Sequence, residues 1–520
     1  MSSNSEVLQD NPMIMDVDKE GNNNGCVAED RSSYRQILKA TSLFGGVQVF
    51  NIFVTLLRGK LLAVLIGTAG MGLNGLLNST LEVIKLASGM GLNESAIRDI
   101  SKAKEANDKS ELKKVYTIFS SWIWLSAILG VILTIALSPL LSRLTFDDYS
   151  YTKTFMFLSV TFLFTALTGG LYTLLRGMRK INLLASANIS GSVAGLLVVI
   201  PIFYFYGING VVPAIVASSA TTYVVSLYFR KKVNVKAINM NFRDVFAGGK
   251  QMVVLGVVLT LSTLLTTGSN FLLNAFISKV GSLEELGLFS AGSSIMTGYV
   301  GMVFVAMSTD YFPRLSGVIN DSAKWKNVVN QQAEVVILIL GPILSIILLS
   351  APILVRLLLS EEFLPVIGYL KWASLAIMLK GITWVSGFVL ISKRDNSLFF
   401  ITELIGVLWF LFFNVLFFKL YGIEGLGIAL NINYLFSVIM LYVILKRRYG
   451  FVISMSAYRL VGLYMFLLSI GVGCIVYLDF PNAYYGCGVV TIVVSIISLK
   501  ELDKRIGVKN IISNFRSKLF

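Results

Sequence analysis

Long apolar segments constrain this chain more than any other feature of its sequence. Of its 520 residues, 55% are hydrophobic and 14% carry a charge, and the mean hydropathy is +0.75. The charged residues fall between apolar runs of about 20 residues, the length that a helix needs to cross a bilayer. The sequence therefore predicts an all-α polytopic membrane protein.

We predict about fourteen membrane-spanning helices. Gly, Ser and Thr are scattered through the apolar runs, as in helices that pack closely in lipid. The predicted ranges are 39–66, 70–91, 115–140, 153–175, 182–206, 208–229, 251–278, 286–310, 334–358, 366–391, 397–418, 423–445, 458–478 and 484–499.

The distribution of basic residues predicts how these helices are oriented. Lys and Arg collect in cytoplasmic loops. With the N-terminus in the cytoplasm, the cytoplasmic segments hold 34 of the 44 Lys and Arg residues, and the external loops hold five. We therefore expect both termini in the cytoplasm. The charged stretch 93–114 should extend the second helix into the cytoplasm, and its mixed charges favour a solvated face over binding of nucleic acid.

An internal repeat appears when the chain is compared with itself at a shift of 215 residues. Arg179 aligns with Arg394, and Tyr206-Gly207-Ile208 aligns with Tyr421-Gly422-Ile423. Helices 4–6 thus correspond to helices 10–12. Because each unit has six helices, an even number, we expect both copies to have the same orientation. Duplicated bundles of this kind are typical of transporters, with the binding site where the bundles meet.

The repeat divides the chain into two pseudo-symmetric six-helix lobes and an extra C-terminal helix pair. The predicted parts are a disordered cytoplasmic tail (1–36), an N-lobe (37–230), a cytoplasmic linker (231–250), a C-lobe (251–448), and helices 13–14 with a basic cytoplasmic tail (449–520).

Four charged residues lie within the first two apolar helices: Arg58, Lys60, Glu82 and Lys85. A charge at the centre of a membrane helix costs roughly 2.5–3.5 kcal/mol on insertion scales, so this surplus of cations predicts a polar interior that faces something anionic. At 100° per residue, Glu82 and Lys85 lie about 60° apart and Arg58 and Lys60 about 160° apart. The sequence leaves open which of Arg58 and Lys60 faces the interior, and whether Glu82 neutralises Lys85.

Three more charged residues lie in later helices. Lys371 is near the outer end of its helix and is expected to snorkel to the surface, whereas Lys380 is near mid-membrane and ranks first as a cavity cation. Glu403 has no sequence-local partner. It is a candidate for binding a coupling ion, H⁺ or Na⁺, or for balancing a nearby positive charge.

Several chemistries are excluded by missing residues. The chain contains no histidine, which removes the usual His-dependent acyltransferases. It also has no GxxxxGK[ST] loop for ATP, because Gly59-Lys60 is followed by Leu61 and Gly249-Lys250 by Gln251. We expect no enzymatic activity, no metal site and no bound cofactor.

Several motifs resemble those of Wzx-type flippases, in the polysaccharide-transport branch of the multidrug/oligosaccharidyl-lipid/polysaccharide exporter superfamily. The resemblance covers about residues 37–448 and is closest to translocases of O-antigen and of lipid III. The motifs are GKLLAVLIGTAGMGL (59–73), LRGMRKIN (175–182), YFPRL (311–315) and LKGITWVSGFVLISKRD (379–395).

The resemblance implies a central cationic cavity between two lobes that opens alternately to each side of the bacterial inner membrane. The implied substrate is an undecaprenyl-diphosphate-linked oligosaccharide used in surface-polysaccharide biosynthesis, and other assembly proteins of that process are expected partners. Lys60 and Lys380 fall in matching motifs, so a substrate-binding role carries over best to them. The roles of Lys85 and Arg58 rest on the charge argument alone.

An exporter of drugs or organic cations from the same superfamily is the alternative function. Such a substrate favours acidic or aromatic groups in the cavity, and the surplus of basic residues argues against it. In some relatives an extra helix pair forms a groove for the lipid tail, and the role of helices 13–14 in this chain stays open.

Overall fold

The computed structural model describes residues 20–106, 108–233, 235, 237–479 and 481–506, and within these ranges it is helical with no strand. Short non-α segments lie at Gly207–Gly210, Ser294–Tyr299 and Glu361–Val366. The helices are α1 (Glu20–Gly89), α2 (Leu92–Glu105), α3 (Lys109–Phe146), α4 (Thr152–Leu158), α5 (Val160–Gly177), α6 (Ile181–Tyr206), α7 (Val211–Lys231), α8 (Phe242–Val280), α9 (Leu283–Ser293), α10 (Gly301–Val318), α11 (Ser322–Leu358), α12 (Ile367–Ser392), α13 (Asn396–Tyr449), α14 (Met455–Tyr477) and α15 (Asn482–Ile506).

Ten helical segments among the described residues are long and apolar enough to cross a membrane, or eleven if the bent α8 counts as one span. Three of them contain a break at a glycine with positive φ: Gly67 (65°), Gly207 (53°) and Gly422 (59°). Glycine adopts this backbone region without the steric penalty of a Cβ. At each break the sequence predicts that one helix ends and the next begins, and the total of fourteen spans stays a prediction.

The 215-residue repeat recurs in the backbone and its hydrogen bonds. Arg179 and Arg394 both have positive φ, of 53° and 58°, as do Gly207 and Gly422. Two contacts of the first half also recur in the second at the same shift. In the first contact, Ser101 Oγ donates to Gly177 O, and the equivalent residues Ser316 and Ser392 are hydrogen-bonded to each other. In the second contact, Lys104 Nζ donates to Met178 O. The equivalent positions are 319 and 393, where the lysine is on the other side and Lys393 Nζ donates to Ile319 O. The two halves therefore repeat the same local fold.

The structure corrects the prediction for residues 93–114. Met90 and Gly91 have φ of 46° and 60°, and this left-handed break ends α1, so α2 is a separate helix and not an extension. Its apolar face, which includes Leu92 and Ile100, is buried against α3, α5 and α8. Asp108 then caps α3 by accepting hydrogen bonds from the backbone N–H groups of the helix's first turn.

The predicted N-terminal tail lies partly outside the described residues, which begin at position 20. From Glu20 onward the backbone is helical and continuous with the first apolar segment, so residues 20–36 are not an irregular chain. Helices propagate readily once nucleated, and the apolar segment that follows supplies such a nucleus.

The C-terminal helices α14 and α15 pack against α11. Tyr464 of α14 is fully buried, lies against Gly341 of α11, and shares a hydrogen bond with Ser498 of α15. At one end of these helices, Arg505 pairs with Glu334 of α11 at 2.8 Å. The extra helix pair is thus attached to the second half of the chain.

Close packing of α1 against α9 depends on two glycines. A Cβ added at Gly287 would collide with Thr68 O, and one added at Gly72 would collide with Leu283 O. Small residues that let two backbones approach closely are a common means of packing helices in membranes. This contact joins the first half of the chain to the second.

We predict that Gly287→Ala destabilises the protein by about 1–3 kcal/mol, because the added methyl group overpacks a backbone contact. Gly473→Ala is the matched control, since nothing lies within 4 Å of a Cβ there and Ala favours a helix over Gly. Thermal unfolding of the purified full chain in detergent measures both. Equal melting temperatures for the two variants would contradict the packing argument.

Candidate functional site

A cavity of about 640 Å³ lies within the first half of the chain, lined by α1, α2, α3, α5, α6 and α7; we call it the N-cavity. Hydroxyl and amide side chains line much of its wall, among them Asn78, Asn93, Thr165 and Asn188. Its charged lining residues are Arg58, Glu82, Lys85, Glu94 and Arg176.

The charges of the N-cavity are only partly compensated. Lys85 Nζ lies 3.1 Å from Glu82 Oε1, and both side chains are about half exposed, so this pair is accessible from the cavity. Arg58 is half-buried and forms no ion pair or hydrogen bond within the part of the chain that the structure describes. A guanidinium with five donors and no partner can bind an anion, and Arg176, which lines the same cavity, is likewise without a partner among the described residues.

A second cavity, of about 770 Å³, lies within the second half; we call it the C-cavity. Its charged lining residues are Lys380 on α12 and Glu403 on α13. Lys380 Nζ lies 5.7 Å from the centre of the Phe304 ring, and no carboxylate of the described ranges pairs with it. The rest of the wall mixes amides and hydroxyls with the aromatic residues Trp384, Phe388 and Tyr434.

The two cavities occupy equivalent positions in the repeat. Residues that line the N-cavity align at a shift of 215 with residues that line the C-cavity. Such pairs are Asn78 with Ser293, Glu82 with Thr297, Thr165 with Lys380, Gly169 with Trp384, Thr173 with Phe388, Asn188 with Glu403, Ser218 with Asn433, and Thr222 with Ser437. The repeat therefore extends to the first helices of each half, and the charges differ between the copies.

The predicted cations line two cavities, one in each half of the chain. Arg58 and Lys85 line the first, and Lys380 lines the second. Of the predicted charge-balancing residues, Glu82 is in the N-cavity and Glu403 in the C-cavity. Gly75 borders the C-cavity and Asn78, one turn later in α1, borders the N-cavity. The α1 helix therefore passes along both.

Lys60 lines neither cavity. Its Nζ donates to the backbone carbonyls of Arg356, at 2.8 Å, and of Leu359. These carbonyls lie at the C-terminal end of α11, where unpaired C=O groups favour a positive charge. Lys60 therefore joins the first half of the chain to the second, which helical periodicity alone did not indicate.

Lys371 does not snorkel to the surface as expected. Its Nζ lies 2.6 Å from Glu424 Oε1, and its side chain is only 14% exposed. The Trp372 indole N–H donates to the same carboxylate oxygen at 2.8 Å. The partner comes from the second part of α13, 53 residues away in sequence, so the local pattern around Lys371 could not reveal it.

Polar groups in both cavities are left without partners. The hydroxyls of Thr161 and Thr168 in the N-cavity, and the side-chain oxygen of Asn433 in the C-cavity, are buried and accept or donate no hydrogen bond among the described residues. Such groups are costly unless a ligand or water satisfies them. Within the described ranges, no group of three or more Cys, Asp or Glu residues could hold a metal ion.

The sequence analysis missed a stripe of polar residues on α8. Thr266, Asn270 and Asn274 recur every four residues in an otherwise apolar helix, and all three line the C-cavity. A spacing of four residues places side chains on one helix face. The spacing is visible in the sequence, but the sequence analysis considered only charged residues as candidates for the cavity wall.

Comparison with known protein families identifies the family of this chain. The profile of the family described as "Polysaccharide biosynthesis protein" matches residues 61–368, more than half of the chain. This chain belongs to that family.

Two curated relatives of this polysaccharide biosynthesis protein are the lipid III flippases of Escherichia coli strain K12 and Shigella flexneri. Each is 22% identical over 374 residues, which cover 71% of this chain and 88% of the flippase. The resemblance to flippases is therefore confirmed. The matched proteins are named as flippases and transporters, in agreement with the expectation of a transporter and not an enzyme.

Solved structures confirm the all-α transporter fold. The inward closed conformation of the lipid II flippase MurJ has a TM-score of 0.65 at 14% identity, covering 89% of this chain and 99% of MurJ. The inward-facing conformation of a MATE family multidrug resistance transporter has a TM-score of 0.64 at 18% identity, covering 76% of this chain and 94% of the transporter. At such identities the likeness establishes the fold.

We predict that Lys371→Ala destabilises the protein by about 1–3 kcal/mol, because it leaves the Glu424 carboxylate without its cation. The double variant Lys371→Ala/Glu424→Gln should recover part of this loss, since it removes the unpaired charge as well. Melting temperatures of the wild type, both single variants and the double variant form a double-mutant cycle, which measures the energetic coupling between Lys371 and Glu424. Strictly additive effects would show that the pair contributes nothing.

Proposed function

We propose that this chain is a flippase that moves an undecaprenyl-diphosphate-linked oligosaccharide, such as an O-antigen unit, from the cytoplasmic to the periplasmic leaflet of the bacterial inner membrane. The observation that carries the proposal is a pair of large cavities, lined in part by polar side chains, inside an apolar helical protein. Each is lined by a cation without a carboxylate partner in the described structure, Arg58 in one and Lys380 in the other. The names of the curated relatives support the same substrate class.

The chemistry of the cavities suits a lipid-linked glycan. A diphosphate that leaves water needs replacement hydrogen bonds from cations, because burying an unpaired charge costs far more than burying a neutral group. Arg58 offers a planar, bidentate fork for phosphate oxygens, and Lys85, which is paired with Glu82, lines the same cavity. The hydroxyl and amide groups of both walls can bind sugar hydroxyls, while the lipid tail stays in the bilayer.

Alternating access requires the two halves to separate on one side of the membrane while they close on the other. Contacts between the halves lie around Gly72 and Gly287 and at Lys60, whose ammonium holds the end of α11. We propose that both termini are cytoplasmic, as the 34 basic residues of the predicted cytoplasmic segments favour. The O-antigen assembly proteins are the partners that this function would require.

Glu403 is the candidate for coupling translocation to an ion, H⁺ or Na⁺. It lines the C-cavity, and no cation of the described ranges pairs with it. The same residue is what an exporter of organic cations would use, and the MATE-like fold is compatible with that alternative. Arg58 and Lys380 argue against an organic-cation exporter, because each would repel a cationic substrate.

We predict that Arg58→Ala and Lys380→Ala each reduce export of the surface glycan. One charge-assisted contact is worth about 1.5–3 kcal/mol, so transport should fall by roughly one to two orders of magnitude. Arg58→Lys should recover less activity than Lys380→Arg, because a lysine cannot reproduce the bidentate fork. The measurement is complementation of glycan export in a deletion strain, with the membrane level of each variant determined in parallel.

Lys153→Ala is the matched control for these variants. Lys153 is an exposed cation beside the start of α4 and lines neither cavity, so its loss should leave export unchanged. Normal export by both Arg58→Ala and Lys380→Ala at normal abundance would contradict the proposed function. Loss of organic-cation efflux in Glu403→Gln, with glycan export intact, would favour the organic-cation alternative.

A further inference from the structure

One face of α12 forms an aromatic wall of the C-cavity. Lys380, Trp384 and Phe388 follow one another at intervals of four residues and all line the cavity. The Trp384 ring centre lies 5.2 Å from that of Phe388 and 5.4 Å from that of Phe304, a buried residue of α10 behind the wall. These contacts fix the orientation of the indole ring.

The repeat shows that the fold itself does not require these rings. The equivalent helix of the first half carries Thr165, Gly169 and Thr173 at the same three positions, and these residues line the N-cavity. Two copies of one helix arrangement are thus built with small residues in one half and with aromatic rings in the other. At one neighbouring lining position the difference is reversed, since Tyr172 lines the N-cavity and the equivalent Gly387 lines the C-cavity.

The surroundings of Trp384 favour a ligand that is neither purely apolar nor cationic. The indole is partly exposed, and its N–H donates no hydrogen bond within the described structure, although a Trp N–H usually has a partner. The amides of Asn270 and Asn274 line the same cavity. A lipid tail would leave these polar groups unsatisfied, and Lys380 would repel an organic cation.

A pyranose ring suits this combination of aromatic and amide groups. One face of the ring presents C–H groups, which pack against the electron-rich face of an aromatic side chain. Its hydroxyls lie at the edge of the ring, where the side-chain amides of the cavity wall can bind them. We propose that Trp384 and Phe388 form a saccharide-stacking subsite in the C-cavity, which selects the glycan part of the substrate. This inference rests on the proposed function and adds the residues that recognise the sugar.

Two probes separate recognition of the sugar from binding of the rest of the lipid. The first is undecaprenyl diphosphate, and the second is undecaprenyl diphosphate carrying an N-acetylhexosamine trisaccharide. Binding of each to the purified full chain in detergent is measured for the wild type, Trp384→Leu and Trp384→Tyr. The matched control is Trp409→Leu, because Trp409 lies in an apolar groove with Ile405, Leu408 and Phe412 and outside both cavities.

Trp384→Leu should weaken binding of the glycosylated probe by roughly 10-fold, the scale of one aromatic stacking contact. It should leave binding of the bare diphosphate lipid unchanged, which also shows that the variant is folded. Trp384→Tyr should restore most of the affinity, and Trp409→Leu should bind both probes as the wild type does.

Two results would overturn the subsite. Unchanged binding of the glycosylated probe by Trp384→Leu would show that the ring makes no contact with sugar. An equal loss for both probes, with the protein still folded by its melting temperature, would assign the wall to the lipid or the diphosphate. Failure of the wild type to bind either probe would instead contradict the proposed function.

Discussion

The structure depends on the cost of placing charged groups inside an apolar helical bundle. Each cation in a membrane segment needs a carboxylate, a set of carbonyls, or water and a ligand in a cavity. Lys371 has Glu424 and Lys60 has the carbonyls at the end of α11. Arg58 and Lys380 instead line cavities. This difference separates the cations that hold the fold together from those that are free for a substrate.

Each half of the internal repeat contains one cavity, and the two cavities differ in chemistry. The same helix arrangement presents hydroxyls and Arg58 in the first half, and aromatic rings and Lys380 in the second. A substrate that is anionic at one end and a polyol at the other matches this asymmetry better than a small symmetric solute would. Tight glycine contacts between α1 and α9 join the two halves in this conformation, and the alternating access that we propose would have to separate contacts of this kind.

Sequence reasoning predicted the helices well because apolar length and glycine breaks are local properties. The breaks at Gly67, Gly207 and Gly422 and the equivalence of Arg179 with Arg394 could all be inferred from the chain alone. The partners of Lys60 and Lys371 could not, because periodicity gives the face of a side chain on its own helix and not the neighbour that covers it. The packing of helices likewise decides which cations line each cavity.

The most direct test is a structure of the full chain in lipid nanodiscs with bound undecaprenyl diphosphate carrying an N-acetylhexosamine trisaccharide. We expect phosphate oxygens within hydrogen-bonding distance, about 3 Å, of the Arg58 guanidinium. Density for the diphosphate outside the N-cavity, with Arg58 facing only water, would contradict it.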